Sequence, residues 1–281
     1  MQTTTTTIAP IPSTPPAQGS HTPPAASKPT ANASGSLLIL AYGLTCYALG
    51  VSGLVYLILV TLGFVPFTGG PVAIESPVLA TLFNVGLVAL FGIQHAVMAR
   101  PWFKERWRRV LPESTERVTF TLFAGLLMAN MMFFWQPFSP SVWSISSPEA
   151  AIALRVLCGL GWGYLLLSTF AIDHFELFGV KQVVRQLRGH DTPAPAFQQR
   201  WMYAFDRHPL MTGALIGLWS TPDMRVDRLV LALAMTAYVI VGVSLEERDL
   251  VRAHGDTYRN YRDSVGTSIP LLRALRPRHQ A

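Results

Sequence analysis

The amino-acid sequence predicts an all-α fold, a polytopic membrane helix bundle of about five spans ending in a helical hairpin. Three observations carry that expectation. Charged residues make up only 14% of the 281-residue chain, where soluble domains carry ~25%. Mean hydropathy is +0.33. Uncharged apolar runs long enough to cross a bilayer recur along the chain, which argues against a soluble enzyme.

Residues 1–36 hold seven prolines, eight threonines and a single charge, Lys28, too little apolar surface to offset the entropy of ordering. They read as a disordered tail and lack the charged n-region of a signal peptide. Residues 37–64 then run 28 positions without a charge, and ~20 suffice to span the hydrocarbon core. Residues 78–99 form a second span, interrupted only by Asn84, Gln94 and His95. Residues 118–135 form a third, with Asn130 inside it, and 156–172 a fourth, bounded by Arg155 and by Asp173, His174 and Glu176. Beyond these, 211–220 is apolar for ten residues, Thr221, Pro222 and Asp223 interrupt, and 229–245 is apolar again. Ten helical residues cover about half a bilayer, so the pair reads as a hairpin with a short first arm. The membrane domain thus covers 37–272, followed by a basic tail at 273–281. Cys46 and Cys158 both fall inside apolar runs, where they act as small hydrophobes rather than as a disulfide or metal pair.

Orientation follows from lysine and arginine in the loops. Segment 100–117 carries Arg100, Lys104, Arg106, Arg108, Arg109 and Arg117, and segment 181–207 carries Lys181, Arg185, Arg188, Arg200 and Arg207, whereas 65–77 and 136–150 carry none. Both termini are therefore expected in the cytoplasm, across an inner membrane. The excess of 22 basic over 16 acidic residues is accounted for by this topology, with anionic lipid as partner rather than nucleic acid.

Topology assigns a depth to each ionisable residue. Gln94, His95, Asp173, His174, Glu176, Arg207, His208, Glu246 and Glu247 all fall near the cytoplasmic interface. Ionisable groups at membrane depth are costly and mark a candidate site. Spacing of His95, His174 and His208 matches no metal motif, so no metal is expected. Gly159, Gly161 and Gly163 lie mid-membrane and read as helix contacts rather than a phosphate cradle.

The segments Arg207-His208-Pro209-Leu210-Met211-Thr212-Gly213, Leu245-Glu246-Glu247-Arg248 and Gly255-Asp256-Thr257-Tyr258-Arg259-Asn260-Tyr261 resemble the C-terminal half of membrane methyltransferases related to isoprenylcysteine carboxyl methyltransferase. Met211 stands where that pattern has tyrosine. Upstream, Gln94-His95-Ala96-Val97-Met98-Ala99-Arg100-Pro101 and His174-Phe175-Glu176-Leu177-Phe178-Gly179 resemble the bacterial methanethiol S-methyltransferases, a branch grouped with NnrU-type membrane proteins. The resemblance implies transfer of a methyl group from S-adenosyl-L-methionine to methanethiol, giving dimethyl sulfide at a cytoplasmic-face cofactor site. In that reading Arg207, His208, Glu246, Glu247, Tyr258 and Tyr261 bind the cofactor, and Gln94, Asp173 and Glu176 line the acceptor pocket. His95 or His174 takes the thiol proton. His95 is preferred because it lies deeper, while His174, beside Asp173 and Glu176, is expected to be held as an imidazolium. Two alternatives stand beside this reading: a methyltransferase of the same fold with an isoprenoid or lipid acceptor, and a non-catalytic NnrU-like protein.

Overall fold

In a computed structural model, residues 33–71, 73–138, 140–193 and 199–266 are described. Most of the tail, residues 1–32, and the basic segment 273–281 lie outside them.

Helix α1, Ala33–Thr61, begins inside the stretch assigned to the tail. After a far-end loop, Ser76 caps α2, Pro77–Met98, with proline at the first helical position, where its missing N–H leaves nothing unsatisfied. A short helix, α3, Pro101–Trp107, precedes α4, Glu116–Phe134. Ser147 and Pro148 open α5, Pro148–Ala171, eight residues before the expected start. That helix tolerates Arg155 within it, which is why the charge-free run undercounts its length. Then come α6, His174–Leu177, α7, Val180–Leu187, and the hairpin arms α8, Pro209–Trp219, and α9, Val226–His254; α10, Asp256–Ser264, closes the described chain.

Five helices, α1, α2, α4, α5 and α9, are long and apolar enough to cross a membrane, and the eleven residues of α8 form the short hairpin arm. The protein is an all-α, multi-pass bundle. Leu57 of α1, Val88 and Phe91 of α2, Met131 of α4, Trp162 of α5 and Leu231 of α9 share one buried core. The outward faces are apolar too: Leu82, Ile93, Leu160, Leu167 and Val241 are exposed, as lipid contact requires. Cys46 and Cys158 are buried and unpaired with each other.

One end of the bundle is tied by polar groups that the sequence shows only as interruptions. Gln136 N donates to Asn84 Oδ1 at 2.8 Å and Asn84 Nδ2 donates to the Gln136 carbonyl at 2.9 Å. Gln136 also receives the Ile74 N–H and donates to the Gly69 carbonyl. At the same end a strand the sequence does not announce, β1, Ser141–Ser144, pairs antiparallel with β2, Asp223–Arg225, at the hairpin tip. Segments 65–77 and 136–150 and the tip therefore lie together. The tip carries two cations that the loop arithmetic overlooked. Arg225 is matched by buried Asp227 at 2.8 Å, and Arg228 donates to the Thr61 carbonyl.

Candidate functional site

At the other end, the turn that opens α8 collects groups from three elements. His208 caps the helix and Pro209 follows at its first position. One carboxylate oxygen of Glu247, Oε1, accepts from Arg207 Nη2 at 3.1 Å and from His208 Nε2 at 3.0 Å. Because a carboxylate only accepts here, Nε2 carries the proton. Glu246, the next residue of α9, has a half-exposed carboxylate 3.8 Å from His208 Nδ1. The Arg207 side chain is only 2% exposed; it also donates to the Arg262 carbonyl of α10 at 2.9 Å. The motif glycine has a packing reason: a Cβ on Gly213 would stand 2.6 Å from the Gly161 carbonyl oxygen and the Leu165 nitrogen, so α8 can lie against α5 only without one.

Tyr258 and Tyr261 sit under this cluster, almost fully buried with Val265, packing α10 onto α9. Tyr261 donates its hydroxyl to the Tyr203 carbonyl at 2.6 Å. Burial raises both phenols, with the Glu247 charge adding to the effect at Tyr258, and pushes Tyr261 up to about 12. Both stay protonated at neutral pH.

The α6 residues form a separate group. The chain reverses at Asp173, φ 80°, a left-handed conformation that aspartate tolerates, and the Asp173 side chain caps α6 by accepting from Glu176 N. Asp173 pairs with Lys181, and Glu176 with Arg185 at 2.7 Å and Gln182 at 3.0 Å, so both acids brace α6 against α7. Gly179, φ 90°, makes the turn between the two helices. His174 is buried, stacked on Phe170 at 4.4 Å, with Tyr47 and Thr169 on its two nitrogens at 2.7 Å each. Thr169 has one proton and donates it to the Leu166 carbonyl. Its oxygen therefore accepts from His174 Nδ1–H, which leaves Nε2 to accept the Tyr47 hydroxyl. The expected imidazolium is not what forms: burial outweighs the Asp173 charge and holds the ring below its usual range. His174 is a neutral clasp between α1 and the end of α5.

His95 has the opposite character. Its ring contacts Phe120 of α4 at 4.6 Å, Phe91 at 5.7 Å and Tyr238 of α9 at 6.0 Å. Among the described residues its Nδ1 is buried without a hydrogen-bond partner, as is Oε1 of neighbouring Gln94, whose Nε2 donates to Met98 Sδ. Tyr238 stands about two turns before Glu246 on α9. The nine residues read from sequence as one level are therefore three groups: the α8 turn with α9, the α6–α7 brace, and the His95 nest between α2, α4 and α9.

Sequence reading missed Asp206, which is 1% exposed and accepts from His208 N at 3.2 Å and Thr212 Oγ1 at 2.6 Å. A signal existed, since aspartate two residues before an N–H is an Asx turn. Tyr47, Thr169 and Tyr238 left none, because each becomes a site neighbour only through packing between helices.

No protein-family model matches the chain, and no solved structure matches it. A methanethiol S-methyltransferase of a Pseudomonas species, strain GM41, is 42% identical over 242 residues, covering 84% of this chain and 92% of the relative. A methanethiol S-methyltransferase of Mycobacterium tuberculosis is 40% identical over 199 residues, 70% of this chain and 82% of its own. Nurim of Xenopus laevis is more distant, 32% identical over 174 residues, 59% and 61%. Identity at that level over most of both chains, in a bundle that assembles the Arg-His-Pro turn against paired glutamates, settles the family: the chain belongs to the methanethiol S-methyltransferases.

Proposed function

We propose that this protein methylates methanethiol to dimethyl sulfide with S-adenosyl-L-methionine as donor, at the cytoplasmic face of the inner membrane, with both termini in the cytoplasm. The observation that carries the reading is the joining of Arg207, His208, Glu246 and Glu247 across α8 and α9 in a chain whose relatives bear that enzyme's name.

The donor set fits the cofactor. When bound, S-adenosyl-L-methionine supplies an electrophilic methyl group on a sulfonium, together with an ammonium, a carboxylate and ribose hydroxyls. Two carboxylates side by side suit its cationic groups, and Glu246, 53% exposed at its side chain, is the acceptor turned outward. Arg207, locked onto Glu247 and the α10 backbone, acts by holding Glu247 in place rather than by reaching outward. Tyr258 and Tyr261 support the cluster from below through α10.

The acceptor side needs a base, because an alkanethiol is mostly protonated at neutral pH. Both His174 nitrogens are engaged, whereas His95 has a free Nδ1 in a dry aromatic nest, so His95 takes the thiol proton. The sulfur–methyl bond then forms as the donor's sulfonium–methyl bond breaks, and S-adenosylhomocysteine is the second product. Alignment and exclusion of water supply the rest. The test is headspace gas chromatography of dimethyl sulfide from purified, reconstituted protein given both substrates; absence of the product from folded protein would sink the proposal.

A further inference from the structure

A cavity of about 170 Å³ lies near the same end of the bundle, roofed by α3 and enclosed by the end of α2, the start of α4 and Leu177 of α6. Its rim carries Lys104, Glu116 and Arg117, with Lys104 paired to Glu116 at 3.1 Å. The interior is apolar, formed by Met98, Phe103, Trp107, Phe120 and Leu177. An apolar hollow beside the proposed base suits a small apolar guest.

Size and position narrow that ligand. An apolar cavity of ~150 Å³ holds a benzene-sized guest. A short alkanethiol therefore fits. The inner wall is shared with the proposed base: Phe120 lines the cavity and packs its ring 4.6 Å from His95, and Met98 lines it while receiving the Gln94 N–H. His95 also meets Tyr238 of α9, the helix that carries Glu246 and Glu247. His95 thus touches both a wall residue of the cavity and the helix of the paired glutamates.

We propose that the cavity is the pocket for the acceptor, a short-chain alkanethiol whose chain length is limited by Leu177 and Phe103. The proposal rests on the reading of the protein as a thiol methyltransferase. It adds the binding site and makes acceptor size a property of side chains remote from the paired glutamates.

The test is chain-length selectivity. Reconstituted wild type, Leu177→Ala, Phe103→Ala and Leu177→Phe are assayed with alkanethiols of one to four carbons at saturating S-adenosyl-L-methionine, with thermal unfolding as the check on folding. One methylene in an apolar pocket is worth ~10- to 200-fold in selectivity. The two enlarging variants are expected to raise kcat/KM for butanethiol relative to methanethiol by at least ~10-fold, at unchanged KM for the donor. Leu177→Phe raises KM for every thiol, most for the longest. A shift in selectivity is not something partial unfolding produces, and any folded member of the set reads it. Wild type that forms thioethers while enlarging and filling variants keep its chain-length profile overturns the pocket and leaves the proposed function standing. Wild type that forms no thioether overturns both.

Discussion

Replacing Glu247 by glutamine removes one charge and almost no volume, so it tests what the carboxylate does rather than what its bulk does. In the native protein one oxygen accepts from Arg207 at 3.1 Å and from His208 at 3.0 Å, and the Glu247 side chain is 20% exposed. A hydrogen bond involving a charged group contributes ~1.5–3 kcal/mol and a neutral one ~0.5–1.5. Neutralising the acceptor therefore removes about 1–1.5 kcal/mol from each of two bonds, about 2–3 kcal/mol together. At 1.4 kcal/mol per tenfold that is roughly 30- to 150-fold in the equilibrium that holds the α8 turn on α9. Arg207, buried beside the neutral amide, keeps its charge and loses its counter-ion. Initial rates of dimethyl sulfide formation, with each substrate varied in turn, separate the consequences. The expected result is a raised KM for S-adenosyl-L-methionine, because the clamp that sets the paired carboxylates is loosened, and a KM for methanethiol that stays close to wild type. Thermal unfolding measures how much of the loss falls on the fold instead. A lowered Tm with an unchanged cofactor KM would show that Glu247 only clamps α9 to the α8 turn, and would refute the cofactor assignment of the whole cluster.

Three further outcomes follow from the geometry. His95→Ala should lower kcat by ~10²- to 10⁴-fold, the range for a general base; a folded variant that keeps the wild-type kcat removes His95 from proton transfer. His174→Gln should keep kcat close to wild type and change stability instead. The native ring is held below its usual range, so the unfolded chain, near ~6.5, takes the proton first. The stability that His174 contributes is complete above ~6.5 and falls as pH drops toward the folded value. Thermal unfolding from pH 7 downward should therefore show a shallower acid slope in the variant; an identical slope contradicts the neutral clasp. Gly213→Ala places a Cβ 2.6 Å from α5 backbone atoms, overpacking worth ~1–3 kcal/mol. An unchanged Tm would show that α8 does not seat on α5 as described.

The spans were legible in the sequence because hydropathy is local: a charge-free run of 28 residues has few ways other than a membrane helix to satisfy its backbone. The short arm of the hairpin was legible for the same reason, as ten apolar residues before Thr221, Pro222 and Asp223. Arg207, His208 and the paired glutamates were legible through spacing along one chain, and the structure does bring them together. Tertiary structure decided everything that depends on how each helix is rotated about its axis, since the hydrophobic period of a span facing lipid and core alike does not fix which side meets which neighbour. His95 and His174 look alike in sequence, each at the end of an apolar run. Only the packing gives His174 a hydroxyl from α1, 127 residues away, for one nitrogen and Thr169 for the other. Only the packing leaves His95 among aromatic rings from α4 and α9 with Nδ1 unbonded. The cavity beside it has no sequence signature, because its walls come from four segments whose side chains become neighbours only once the bundle has closed.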